Sequence, residues 1–242
     1  MTARRTFGDR SISSLVERQM RNWELARSQR YTETESGTAE VQEFICVSRM
    51  VGVGHEAVTR PLGKRLGWPV LDRELLESMA GDDRLRERIY RTMDQRDVGW
   101  WESAVRAVMD RQYVRNDYFH RLTETLLSLA RGGSCVFVGR GADLVLPRDH
   151  GIRIRLVAPR QARVRSFAEA REMEPSQAAA EMDRIERQRA AFIRGHFGVA
   201  ADDPLRHDLV VNLEQVTAAQ AVELIDAFRR VVRGERAGAR SP

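Results

Sequence analysis

Lysine is almost missing from this chain. Of its 40 basic residues one, Lys64, is lysine and the other 39 are arginine. Any chemistry that needs a lysine ammonium therefore has a single candidate. Cysteine is nearly as scarce. Cys46 and Cys135 both fall in short apolar runs, which excludes a disulfide framework and reads as two buried thiols in a reducing compartment. No apolar run approaches the roughly 18 residues that a membrane-spanning helix needs, and the opening MTARRTFGDR has no apolar signal core. A cytoplasmic protein without a membrane partner is expected. The abundance of Arg, Ala and Gly points to a bacterial chain from a GC-rich genome. His120, His150, His196 and His207 are scattered without zinc-ligand spacing, so no metal centre is expected from them. G-x-S-x-G is absent, which removes local support for Ser-His-Asp catalysis. So are G-x-x-x-x-G-K-[ST] and G-x-G-x-x-G, since Gly52 and Gly54 are followed by Ala57.

What is present is ample for a folded protein of one or two domains. The chain has 242 residues, 42% of them apolar and 31% charged. Its net charge of +5 invites a nucleic-acid reading. The distribution argues against it, because residues 41–228 carry 28 basic and 28 acidic residues and are neutral. Most of the excess lies in residues 229–242, where a solvated tail accounts for it.

The pattern along the chain is that of an α/β protein. Residues 11–30 form an amphipathic helix candidate through Ile12, Leu15, Val16, Met20 and Trp23, suited to packing on its own domain or on a second subunit as a homo-oligomer contact. A polar linker follows to residue 42. Five apolar runs then read as strands: FICVS, WPVLD, SCVFVG, IRIRLVA and HDLVVN. Helical patterns separate them: one through Ala57, Val58, Leu62 and Leu66, a long stretch over 73–131 interrupted near Gly81 and Gly99, then 160–172, 175–195 and 217–233. Pro61 predicts a late start or a kink in the first of these. Alternating buried strands and helices predict a five-stranded, doubly wound parallel sheet. The expected organisation is an N-terminal helix and linker over 1–42, a main domain over 43–234, and a basic tail over 235–242.

Ligands of open parallel sheets bind beyond the carboxyl ends of the strands. Four segments with chemical potential all follow strands: SRMVGVGHE, DRELL, GRGADLVLP and APRQARVR. The first is a glycine-bearing turn at a helix start, where backbone N–H groups and the helix dipole suit a phosphate. A purely structural tight turn is the alternative. Trp100 and Trp101 read as packing residues rather than as a base-stacking platform.

Taken in order, FICVSRMVGVGHEAV, LGWPVLDRELL, VFVGRGADLVLP, RIRLVAPRQARVR, IERQRAAFIRGHFG and HDLVVN resemble the cytidylate kinase-like family over about 44–228. That family belongs to the P-loop nucleoside monophosphate kinase fold, and some members carry an N-terminal extension. The resemblance implies a helical acceptor-side insertion over 73–131 and a lid over 171–206. It implies ATP and Mg²⁺ as cofactors and a nucleoside monophosphate, CMP first, as acceptor. Gly52, Val53, Gly54, His55 and Glu56 would cradle donor phosphates. Asp72, Arg73, Arg140, Asp143, Glu186 and Arg189 would hold the acceptor. Arg49, Arg184 and Arg187 would carry catalytic charge, with Arg160 and Arg163 as further candidates near the lid.

Physical chemistry supports arginine in these roles, since phosphoryl transfer needs charge neutralisation and alignment more than covalent help. Guanidinium binds phosphate bidentately and stays charged. On one ideal helix Arg184 and Arg187 share a face and Arg189 lies about 160° away. Either the helix breaks or only some of them reach the site.

The turn departs from the kinase pattern at two positions: His55 and Ala57 stand where that fold usually has Lys and Ser/Thr. Val53 disfavours a left-handed backbone. Ser48, Thr59 or water remain as substitutes for the missing metal-binding hydroxyl, and Arg49 is a better fixed charge than a histidine that titrates near 6.5. Three functions are therefore open: a phosphotransferase, a non-catalytic nucleotide-binding protein and, least supported, a nucleic-acid binder acting through the tail.

Overall fold

The computed structural model describes residues 42–81 and 117–239. The expected N-terminal helix and its subunit contact, most of the helical insertion with Trp100 and Trp101, and the last residues of the tail lie outside them.

The elements in order are β1 (Phe44–Arg49), α1 (Glu56–Leu66), β2 (Val70–Leu71), α2 (Arg73–Gly81), α3 (Asp117–Gly132), β3 (Cys135–Val138), α4 (Ala142–Val145), β4 (Gly151–Val157), α5 (Arg160–Arg171), α6 (Pro175–Phe197), a 3₁₀ turn (Pro204–Arg206), β5 (Leu209–Asn212) and α7 (Ala218–Ala239). The strands form one sheet in the order β2-β3-β1-β4-β5. Every pairing is parallel. All five expected strands are present, β2 being shorter than WPVLD suggests. Helix α1 begins at Glu56 and runs through Pro61, so the late start is not seen.

Because both faces are covered, strand residues of either parity are apolar. Phe44 and Cys46 of β1 pack with Leu71, Leu75, Leu76 and Met79 and with Leu122 and Leu126 of α3. Ile45 and Val47 point the other way, into Val58 and Leu62 of α1 and Ala221, Val222 and Ile225 of α7. Each such fully buried side chain contributes about 1.5–3 kcal/mol relative to exposure. Cys46 and Cys135 are free and buried, as expected. Helix α7 starts from a reciprocal cap, the Thr217 hydroxyl accepting from the Gln220 N–H and the Gln220 side chain accepting from the Thr217 N–H. No helix among the described residues is long and apolar enough to cross a membrane.

β1 is the central strand, with β3 on one side and β4 on the other. β2 and β3 lie on one side of it and β4 and β5 on the other, so the strand order switches beside β1, which opens a crevice beyond its carboxyl end. The glycine turn leaves β1 at that point.

Candidate functional site

The turn after β1 is built by its glycines. Gly52 and Gly54 take left-handed φ values of 77° and 65°. A Cβ on Gly52 would also stand 2.5 Å from the carbonyl oxygen of Arg163. Val53 stays outside the left-handed region and sends its side chain, 8% exposed, into the core between β1 and α1. The two permissive residues thus absorb the conformation that a β-branched residue resists. His55 caps α1 through its backbone, its carbonyl accepting from Val58 and Thr59 at 3.0 and 2.9 Å.

Helices α5 and α6 hold this turn from outside. Arg163, 5% exposed, donates to the Ala158 carbonyl at 3.0 Å, the Val51 carbonyl at 3.1 Å and Glu186 Oε1 at 2.6 Å. Glu186 in turn accepts from the Val51 N–H at 3.4 Å. One turn along α6, Arg189 donates to the Arg49 carbonyl at 3.3 Å. Helix α6 is unbroken over 175–197, so its arginines do diverge. Glu186 and Arg189 face the β1 exit, whereas Arg184 is exposed and pairs with Glu181 at 2.6 Å. Arg187 is exposed as well. Arg160 forms a surface pair with Asp183 at 2.5 Å.

Inside this frame lies a cluster of guanidiniums. Burial chiefly, then the charges of Arg189, Arg73 and Arg140, lower the Arg49 pKa to about 10, with Asp72 opposing them. Burial and the charges of Arg73 and Arg189 do the same to Arg140, also to about 10. Arg189 is lowered by burial first, then by Arg73 and by Arg155. Burial is the main cause in each case and the neighbouring guanidiniums add to it, so positive charge is both buried and crowded here, which suits an anion. The Nε atoms of Arg49 and Arg140 are buried without a hydrogen-bond partner. Arg140 has φ 57°, rare for a residue with a side chain, and is flanked by two left-handed glycines. One of them, Gly139, leaves room for Arg49, whose Nη1 would lie 2.6 Å from any Cβ there. His55 borders the same cluster. Burial, then Arg49, Arg189 and Arg60, lower its pKa to about 3, so it is neutral at physiological pH and supplies no positive charge.

The other expected residues divide between the site and the scaffold. Asp72 caps α2, its Oδ1 accepting from the Leu75 N–H at 3.0 Å. Arg73 reaches Glu77 at 3.2 Å. Glu56 points outward to Arg60 at 2.6 Å. Asp143 does not join the arginine cluster through a hydrogen bond. It is buried against Arg206, 2.5 Å away, and its carbonyl accepts from Arg153 Nε at 2.8 Å.

Sequence reasoning missed Glu77, Tyr118, Phe192 and Arg155. Glu77 accepts from the Tyr118 hydroxyl at 3.4 Å and pairs with Arg140, which also lies 5.3 Å over the Phe192 ring. The Arg73–Glu77 spacing of four was a legible signal. So was Arg155, two residues beyond Arg153 in an otherwise apolar strand and therefore on the same face.

The described residues do not fit a protein-held Mg²⁺. Position 57, the usual hydroxyl, is alanine. The Ser48 hydroxyl receives a hydrogen bond from Arg155 at 2.5 Å, so that oxygen already faces a guanidinium. Thr59 is buried in α1, Glu56 is engaged by Arg60, and Asp72 caps α2. No group of three or more His, Cys, Asp or Glu with metal-binding geometry occurs among the described residues.

The model of the cytidylate kinase-like family matches residues 44–215. No curated protein matches the sequence. Among solved structures, an uncharacterized protein from Eubacterium ventriosum is 18% identical, with a TM-score of 0.63 over 77% of this chain and 97% of that one, a likeness of fold. A shikimate kinase from Bacteroides thetaiotaomicron is 13% identical, with a TM-score of 0.42 over 76% of this chain and 96% of that one. A shikimate kinase from Acinetobacter baumannii, in complex with shikimate, is 16% identical, with a TM-score of 0.40 over 77% and 92%.

Proposed function

The chain belongs to the cytidylate kinase-like family, and on that premise we propose that it is a phosphotransferase, moving the terminal phosphoryl group of ATP to a small anionic acceptor, with CMP the first candidate. The observation that carries this reading is the gathering of Arg49, Arg73, Arg140 and Arg189 at the end of the central strand, beside the Gly52–Gly54 turn. The turn receives the donor phosphates on backbone N–H groups at the start of α1. Arg73 and Arg140, joined by Glu77, hold the acceptor. Arg49 and Arg189 lie between and bear on the transferred group.

The reaction forms one P–O bond from an acceptor oxygen to the terminal phosphorus and breaks the bond to the bridging oxygen, which leaves on ADP. An acceptor phosphate is already ionised at neutral pH, so no general base is required. What remains is alignment and neutralisation of charge on the equatorial oxygens, which guanidinium groups supply. Domain boundaries follow the same reading: the catalytic domain over 43–234, with acceptor-side insertion and lid, preceded by the helix and linker of 1–42 and followed by the tail of 235–242. Incubation with ATP and a panel of nucleoside monophosphates should yield ADP and the diphosphate of one of them. If no pair exceeds the buffer rate, the catalytic reading fails.

A second reading is favoured by one specific observation: neither the neutral His55 nor Ala57 replaces the usual lysine and hydroxyl. The chain would then bind nucleotide without turning it over. Thermal stabilisation by ATP with no ADP formed is its signature.

A further inference from the structure

We propose that this site takes its phosphate ligand as the metal-free polyanion, the guanidiniums of Arg49, Arg73, Arg140 and Arg189 providing the neutralisation that a magnesium ion provides elsewhere. The inference rests on the reading of this crevice as a phosphate site and specifies the charge state of what binds there.

It begins from the donor set. Mg²⁺ is a hard, strongly hydrated cation that takes oxygen ligands, usually a hydroxyl or carboxylate together with phosphate oxygens. Around the turn, each candidate oxygen-bearing side chain among the described residues already has a partner in the protein. Ser48 accepts from Arg155, Glu56 pairs with Arg60, and Asp72 accepts from the α2 backbone. Glu186 is bound by Arg163 and the Val51 N–H, and Glu77 by Arg73 and Tyr118. A divalent cation taking these side chains as ligands would have to compete with the guanidiniums of Arg155, Arg60, Arg163 and Arg73.

The converse observation is an excess of positive charge, four arginines around the shared Glu77. Arg49, Arg140 and Arg189 each have their pKa lowered by burial and by neighbouring arginines. Two of them bury an Nε that bonds to nothing in the protein. An anion relieves the repulsion and satisfies those donors, and the more charge it carries, the larger the gain. Metal-free ATP carries more negative charge than its magnesium complex, so the site should prefer the free form.

Calorimetric titration of the full chain with ATP, and with inorganic tripolyphosphate, tests this in two buffers, one with EDTA and one with excess MgCl₂. The expected result is binding of both ligands in EDTA at least as tight as in magnesium. Arg49→Gln and Arg140→Gln should each weaken binding in EDTA by about 10–100-fold, the loss of charged hydrogen bonds to phosphate. Binding that EDTA weakens by more than about tenfold, or abolishes, overturns the proposal; so does unchanged affinity in both folded variants. The two readings fail separately. EDTA-sensitive binding with turnover leaves the phosphotransferase standing and removes the metal-free site. EDTA-insensitive binding without turnover does the reverse.

Discussion

The molecule contains two arginine clusters that share a residue type and differ in everything else. In one, Arg153 and Arg206 are buried at 1% and 5% exposure. They are matched by acceptors: Arg153 donates to the carbonyls of Asp143 and Leu146, and Arg206 to the Asp143 carboxylate and to the carbonyls of Ala200 and Ala201. In the other, Arg49, Arg73, Arg140 and Arg189 crowd one another around one shared carboxylate, Glu77, which pairs with Arg73 and Arg140. The first cluster is held mainly by acceptors within the fold, although Arg153 Nη1 and Arg206 Nε are buried without a partner, and it fastens α4 to the turn before β5. The second leaves positive charge outstanding. The difference lies in how many acceptors the protein supplies for the guanidiniums it gathers.

The sharpest way to break this comparison is to remove a partner from the structural cluster. Asp143→Ala leaves Arg206 charged and buried without its carboxylate, and should cost about 3–5 kcal/mol of unfolding free energy in a denaturant titration. A loss near zero would show that Asp143 is free for a ligand, as the family resemblance implies. The opposite behaviour is expected of the other cluster. Arg49→Gln removes one like charge from a crowded group, so its folding stability should stay within about 1 kcal/mol of wild type or rise. ATP binding should fall by about 1.5–3 kcal/mol.

Backbone changes sharpen the comparison of the turn with its frame. Gly52→Ala should cost about 1–2 kcal/mol for the left-handed conformation alone, and must also displace the Arg163 carbonyl. Gly54→Ala meets only the Ser166 hydroxyl at 4.0 Å and should cost less. Thermal melts of the two variants give the order directly.

Acid probes both clusters through a histidine. His55 is held at about 3 by burial and by Arg49, Arg189 and Arg60, and His207 at about 4 chiefly by burial. Each is neutral in the fold while its unfolded form titrates near 6.5. The stability they contribute is therefore complete above about pH 6.5 and is lost as pH falls toward those lower values. His55→Gln and His207→Gln should each reduce the fall in unfolding free energy between about pH 7.5 and pH 5. Only for His55 should saturating ATP also reduce it, because a bound anion offsets the arginines around that ring. The smallest effect belongs to Arg184→Ala. Its exposed pair with Glu181 lies away from the cluster, so neither melting temperature nor ATP affinity should change measurably.

Several of these roles could be read before any coordinates. FICVS and IRIRLVA are too apolar and too β-branched to be anything but buried strands, and each is followed by a segment with chemical potential. The glycines at 52 and 54 announced a tight turn. The 3.6-residue period alone announced that Arg184 and Arg189 could not act together on one unbroken helix. Glu186 illustrates the limit. As one of a charged run, ERQR, it is expected to hold the acceptor. Its pairing with Arg163 crosses 23 residues and its contact with Val51 crosses 135. No local pattern carries that information.

What the sequence determined by itself is the order of the layers and the composition of the charge: five parallel strands with helices between, and almost no lysine to place among them. Period and propensity are local, and they suffice for that much. Which arginines face carboxylates and which face one another was decided only by the tertiary structure. Pairing between side chains remote in sequence depends on the sheet order β2-β3-β1-β4-β5, which brings the ends of β1 and β3 and the face of α6 to one crevice and sends Asp143 to Arg206 instead.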